Sequence, residues 1–189
     1  MPQHGDTDPR SAVDKLIASD RVPADARTDQ LTEADIWAIL DEVKDPEVPA
    51  VSVVELGIVR AVHWDGKELS VDVTPTYSGC PATELIEELI EEALRAAGFR
   101  NPRIKQVLTP AWTTDWITDE GKEKLRVFGI APPQGSASKR SLLGDSEVIT
   151  CPHCGSTQTE RVSEFGSTAC KALYRCKDCL EPFDYFKCI

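Results

Sequence analysis

Two Cys-x-x-Cys pairs, Cys151-Pro152-His153-Cys154 and Cys176-Lys177-Asp178-Cys179, stand 21 residues apart. No other feature restricts the fold as strongly. Four thiolates at this spacing suit one tetrahedral zinc, and the stretches Thr157 to Phe165 and Ala169 to Arg175 supply the two strands of a zinc-ribbon hairpin. A module of about forty residues buries too little apolar surface to fold alone. Metal binding, worth on the order of 10 to 16 kcal/mol in small zinc peptides, supplies what is missing. Four sulfurs leave no open coordination position, so the zinc is expected to be structural. His153 is a spare candidate that this ligand set does not need.

The remaining cysteines make the total seven, an odd number, and a reducing compartment with bound metal accounts for them better than disulfides. The polar start, Met1 to Arg10, has no apolar h-region, and no run approaches the 18 or so apolar residues that cross a bilayer. A cytoplasmic protein is expected. The formal net charge of -11 argues against nucleic acid and anionic membrane surfaces as partners. From residue 147 onward five basic residues face six acidic ones, so the ribbon lacks the basic stripe of a nucleic-acid binder.

Taken in order, residues 1–30 read as a disordered leader. Residues 31–130 read as a first domain, 131–146 as a Pro-, Gly- and Ser-rich linker, and 147–189 as the ribbon. In the first domain a helix begins after Thr32, with Asp35 completing a capping box, and carries Ile36, Trp37, Ile39, Leu40 and Val43 to an end near Lys44. Asp45-Pro46-Glu47-Val48-Pro49 follows as a turn flanked by two carboxylates. Alternating residues on either side of Asp65-Gly66 predict a hairpin. His63 falls on one of its strands and is read as a strand residue, not a ligand. A helix from Pro81 to Ala97, with Leu85 to Ala97 carrying its apolar face, then a strand over Arg103 to Thr109, complete a right-handed crossover. Asp119 to Phe128 reads as a last helix, and Trp112 and Trp116 as candidate core. The fold class is α+β: a small mixed three-stranded sheet packed with helices, followed by a small all-β zinc ribbon.

Cys80 stands where the second strand gives way to the acidic amphipathic helix. Pro81 suits a first helical position, which makes Cys80 the expected N-cap, beside backbone N–H groups that favour a thiolate. It reads equally as a small buried cap without chemistry. Cys170 and Cys188 lie outside the knuckles and are either packing residues or additional thiol ligands for a second metal or cluster.

Asp45-Pro46-Glu47, the run Ser52-Val53-Val54-Glu55-Leu56-Gly57-Ile58-Val59 and the Thr74 to Pro81 loop together resemble the metal–sulfur cluster-assembly family that includes SufT-type proteins. With the segment Pro110 to Trp116, the ribbon run Phe165-Gly166-Ser167-Thr168-Ala169-Cys170-Lys171-Ala172-Leu173-Tyr174-Arg175-Cys176 and Glu181-Pro182-Phe183-Asp184, residues 32 to 189 resemble the PaaD family, also called PaaJ, of phenylacetate degradation. The resemblance implies an accessory component, without catalytic activity of its own, of the oxygenase that converts phenylacetyl-CoA to its ring 1,2-epoxide. Its implied role is to help mature iron or iron–sulfur centres. Subunits of that epoxidase or its reductase, and iron–sulfur assembly proteins, are the implied partners. Cys80, with Asp45 and Glu47, is then a transient ligand for iron or a cluster. An intrinsic non-catalytic subunit and a ribbon-based nucleic-acid binder are the alternatives. The sequence has no paired Glu-x-x-His motifs for a di-iron bundle, no Gly-rich dinucleotide turn and no plant-type ferredoxin spacing.

Overall fold

The structure, a computed structural model, describes residues 31–65, 68–77, 79–134 and 148–187. The leader, most of the linker and Cys188 lie outside the described residues. Helix α1 (Glu33–Asp41) opens on the expected capping box, with Thr32 accepting from the Asp35 amide and the Asp35 carboxylate accepting from the Thr32 amide. It ends three residues before the expected Lys44. Lys44 instead bridges Ser52 in antiparallel fashion, and the proline at 46 pushes Asp45 out of the helical region.

Strands β1 (Val59–Asp65) and β2 (Glu68–Val73) form the predicted antiparallel hairpin. Helix α2 (Thr83–Ala96) then crosses over to β3 (Arg103–Gln106), which pairs parallel to β2 and stops short of Thr109. The result is the mixed three-stranded sheet β1-β2-β3. Leu69, Val71 and Val73 on one face of β2 are buried against Ile86, Ile90 and Leu94 of α2 and Ile36 and Leu40 of α1. Strand alternation and the helical period converge on that shared core. The outer face of α2 is acidic, and Glu91 meets Arg95 at 2.7 Å, the one favourable i,i+4 pair read from the sequence. His63 is exposed on β1, with Nε2 3.0 Å from Asp72. Helix α3 (Asp119–Phe128) closes on Gly129 in the left-handed conformation.

The two parts are joined by a strand that the sequence pattern did not reveal. Residues Ile130–Ala131 (β4) pair parallel with β7 (Pro182–Phe186), so the chain leaving α3 enters the ribbon sheet directly. With β5 (Thr159–Ser163) and β6 (Lys171–Cys176) this gives a second sheet in the order β4-β7-β6-β5. Two buried ribbon residues, Cys170 and Phe186, belong to the core of the first domain. Trp112, also buried, carries this contact: its ring lies 6.2 Å from Phe186 and its Nε1–H donates to the Leu56 carbonyl at 3.0 Å. Among the described residues, no helix is long and apolar enough to cross a membrane.

Candidate metal centre and thiol cleft

At the far end of the ribbon the knuckles bring Cys151, Cys154, Cys176 and Cys179 together, with one sulfur from each within 4.8 Å of the others. Two of the S···S separations are 3.7 and 3.6 Å, Cys151 to Cys179 and Cys154 to Cys176. A tetrahedral ion with metal–sulfur bonds of about 2.3 Å sets its sulfurs about 3.8 Å apart, so the set fits a four-thiolate metal site. Backbone N–H groups of Cys179 and Asp178 pull the Cys176 thiol down to about 7, while against the Glu181 amide burial and the neighbouring thiols push Cys179 up to about 12. The Cys151 amide donates to the Ser156 carbonyl at 2.8 Å and the Gly155 amide to the Cys151 carbonyl at 2.9 Å, which folds the first knuckle tightly. His153 stays outside the set, exposed, with its ring edge toward Phe183.

The opposite end of the ribbon hairpin closes a cleft on the first domain. Its walls come from the Asp-Pro-Glu turn, Leu56 and Ile58, the chain leaving β2, the start of α2, and Cys170 with Phe186 of the ribbon. Cys80, Glu47, Asp45 and Cys170 all line it. Its volume is about 20 Å³, and it is partly open to solvent. Six residues along a strand span about 20 Å, so Cys170 is far from Cys176 and does not share the ribbon's metal.

Cys80 is not the N-cap. That position is Ala82, which makes no side-chain cap, and the first helical bond runs from the Ile86 amide to the Ala82 carbonyl. The Cys80 carbonyl is spent earlier, on a turn bond from the Thr83 amide at 3.2 Å. This places Cys80 two residues ahead of the cap, half-buried on the cleft wall. Its neighbour there is Tyr77: burial, then the proximity of Cys80 and Glu47, push the Tyr77 hydroxyl up to about 12.

The two carboxylates of the turn have different roles. Asp45 is buried, and its Oδ1 accepts from the amides of Glu47 and Val48, both at 2.8 Å. Desolvation raises its pKa, with the two amides working against that rise. Its oxygen is therefore engaged in holding the turn. Glu47 faces the ribbon: the Cys170 Sγ–H points to Glu47 Oε2 at 3.9 Å, and Lys171 Nζ donates to the Glu47 carbonyl at 3.4 Å. Burial and then the Asp45 charge raise the Glu47 carboxyl, while burial raises the Cys170 thiol. Thr168 Oγ1 lies 3.0 Å from the Cys170 sulfur. Lys171, only 3% exposed, also faces Asp184 at 3.8 Å. It is the cation between ribbon and turn.

The Ser52 to Val59 run has a mechanical explanation. Ser52 and Glu55 hydrogen-bond reciprocally, the Ser52 amide to Glu55 Oε2 at 2.9 Å and the Glu55 amide to Ser52 Oγ at 3.0 Å. The Ser-x-x-Glu spacing is that of a capping box, here closing a turn. Gly57 follows at φ +69°, where a Cβ would come within 2.7 Å of Trp116 Cβ. This fixed turn sets Leu56 and Ile58 into the cleft wall.

Residues 33–100 match the family described as iron-sulfur cluster assembly protein, and residues 135–187 match the PaaD zinc beta ribbon domain. Over 155 residues, 82% of this chain and 92% of the relative, the sequence is 50% identical to the D component of the putative 1,2-phenylacetyl-CoA epoxidase of Escherichia coli (strain K12). The chain belongs to the PaaD family. A PaaD chain thus pairs an assembly-type domain with a metal ribbon, and here the two meet at the Cys80 cleft. The first domain is also 33% identical over 97 residues, 50% of this chain and 90% of the relative, to an Fe-S protein maturation auxiliary factor of Porphyromonas gingivalis (strain ATCC BAA-308 / W83). A crystal structure of a domain of unknown function, DUF59, from Bacillus anthracis superposes with a TM-score of 0.46 at 27% identity, covering 49% of this chain and 90% of that one.

Proposed function

We propose that this protein is an accessory component of a multicomponent phenylacetyl-CoA 1,2-epoxidase, helping to load iron or an iron–sulfur centre into the system without performing the oxygenation. One observation carries this reading: Cys80 and Cys170, from two domains, line one cleft with the Glu47 carboxylate. Thiols and a carboxylate lining a small cleft suit capture and release of a metal better than chemistry on a CoA ester, which needs a far larger pocket. Cys80 is the transient ligand, Glu47 shares it, and Asp45 keeps the turn. The ribbon ion is zinc and structural, since four thiolates leave no position for a substrate. Its partners are subunits of the epoxidase or its reductase and iron–sulfur assembly proteins, in the cytoplasm.

Epoxidase purified from cells that make its other subunits with and without this chain provides the test. Iron per oxygenase and epoxidation both fall when the chain is absent; full iron content and turnover without it overturn the reading. A second reading, an intrinsic non-catalytic subunit, is favoured by the name of the Escherichia coli relative. Stoichiometric co-purification in the active complex, with iron loading unaffected by omission, supports that alternative.

A further inference from the structure

We propose that the open edge of β3 and the acidic face of α2 form a docking groove for an extended segment of a partner protein that carries Lys or Arg at alternate positions. The groove is separate from the Cys80 cleft, and the proposal stands whether or not that cleft handles metal.

Strand β3 ends the first sheet, with β2 on one side and no strand among the described residues on the other. The Val107 amide donates to the Val73 carbonyl at 2.8 Å, which fixes the backbone groups of Arg103, Lys105 and Val107 toward β2. By strand alternation, the N–H and C=O groups of Ile104 and Gln106 point the other way, off the edge. Such a row is a template for one more strand. Strands β1 and β5 also lie at sheet edges, but each carries a register shift, between Val59 and Ala61 and between Arg161 and Ser163, of the kind that blunts an edge. Strand β3 pairs with β2 without one.

Beside this edge runs a groove of about 380 Å³, lined by Glu84, Glu87, Glu88 and Glu91 of α2 and by Pro102 and Ile104. Their spacing sets the four glutamates in one row along the helix. Glu91 is paired with Arg95 at 2.7 Å, whereas Glu84, Glu87 and Glu88 have no ion-pair partner among the described residues. Burial, then the Glu84 charge, raises the Glu87 carboxyl above its ordinary value, a cost that an incoming cation relieves.

The sheet register sorts the side chains of the occupant. Ile104 stands opposite Val71 on the face that α2 covers, and Arg103 and Lys105 lie on the other face. A strand added to β3 therefore sends alternate side chains toward the glutamate row and the rest beside Arg103 and Lys105. Lys or Arg suits the first set, and neutral or acidic residues suit the second. A second copy of this chain is the poorer occupant, because pairing β3 with itself brings two glutamate rows together on a chain of net charge -11. The first turns of α2 give Thr83 and Ile86 to the Cys80 cleft and Glu84 and Glu87 to the groove, so a segment docked here is held beside the cleft.

Fluorescence anisotropy of a labelled Lys-Thr-Lys-Val-Lys-Thr peptide, titrated with the full zinc-loaded chain, tests this. Saturable one-to-one binding is expected. A peptide of the same composition in blocks, Lys-Lys-Lys-Thr-Thr-Val, should bind at least roughly tenfold more weakly, as should the alternating peptide to a chain with Glu84→Gln, Glu87→Gln and Glu88→Gln together. Gln106→Pro removes one outward N–H without touching the ladder to β2, and should weaken binding likewise. Glu42→Gln, Glu92→Gln and Glu120→Gln together remove the same charge away from the groove and should leave binding unchanged, with melting midpoints showing that every variant is folded. No saturable binding, equal binding of the block peptide, or full binding by the groove variant overturns the proposal. Sedimentation showing a dimer that Gln106→Pro dissociates assigns the edge to a second copy and also overturns it.

Discussion

Cys170 Sγ of the ribbon lies 3.9 Å from Glu47 Oε2 of the first domain, although 123 residues separate them in sequence. Lys171, the next residue, locks this contact by binding the Glu47 carbonyl and facing Asp184 while almost wholly buried. Removing the cation leaves Asp184 and the turn without it. Lys171→Ala should lower stability by about 3 kcal/mol, the lower end for breaking a buried pair because Asp184 keeps some solvent. Urea unfolding of the zinc-loaded protein measures this, and a loss within experimental error would show that the lysine does not hold the ribbon in place.

Asp45 and Glu47 looked alike in sequence and should behave differently on substitution. Asp45→Asn keeps a carbonyl acceptor for the amides of Glu47 and Val48, so folding should survive it. Asp45→Ala strands two amides and should cost about 2 kcal/mol or more. Urea midpoints of the two variants measure this, and equal losses in Asp45→Asn and Asp45→Ala would show that Oδ1 does not hold the turn through these amides.

The Ser52–Glu55 turn gives a pH signature. Burial pushes the Glu55 carboxyl up, but the Lys124 ammonium and the Ser52 amide outweigh it and hold the pKa below its ordinary value. A depressed acid contributes stability above its unfolded pKa, about 4.3, and loses it as pH falls through the folded value. The stability gap between wild type and Glu55→Gln should be at most about 1 kcal/mol near pH 7, because Lys124 is half exposed, and should close below about pH 4. Urea midpoints at a series of pH values check it. A gap that widens on acidification contradicts the assignment.

Gly57→Ala combines a left-handed backbone with a methyl 2.7 Å from Trp116 Cβ and 2.9 Å from the Trp116 carbonyl oxygen. The backbone strain alone is about 1–2 kcal/mol, and the clash adds to it. Thermal unfolding should show a loss of several degrees, and an unchanged midpoint would mean that the turn and Trp116 separate easily.

Much of the first domain was legible because its signals are local. The capping box at Thr32, the alternation around Asp65 and the apolar stripe of α2 each declare one element, and the knuckles declare the ribbon's metal end. What could not be read was how the ribbon sits. The two residues of β4 carry no periodicity, β7 contains too few alternating positions to stand out, and Cys170 meets Glu47 only after both domains fold. Cys80 was misplaced by two residues because Pro81 suits a first helical position and also the tight turn that in fact precedes Ala82. The Ser-x-x-Glu spacing at Ser52 was visible, but only the folded turn shows what it does.

The metal-loading role proposed for the Cys80 cleft depends on the Cys80 thiol. Iron per oxygenase in epoxidase produced beside the Cys80→Ser chain, compared with wild type, tests it most directly, with retained zinc showing that the variant is folded. Iron content and epoxidation should both fall toward the level found without the chain. Wild-type iron loading beside the folded Cys80→Ser protein would contradict that role.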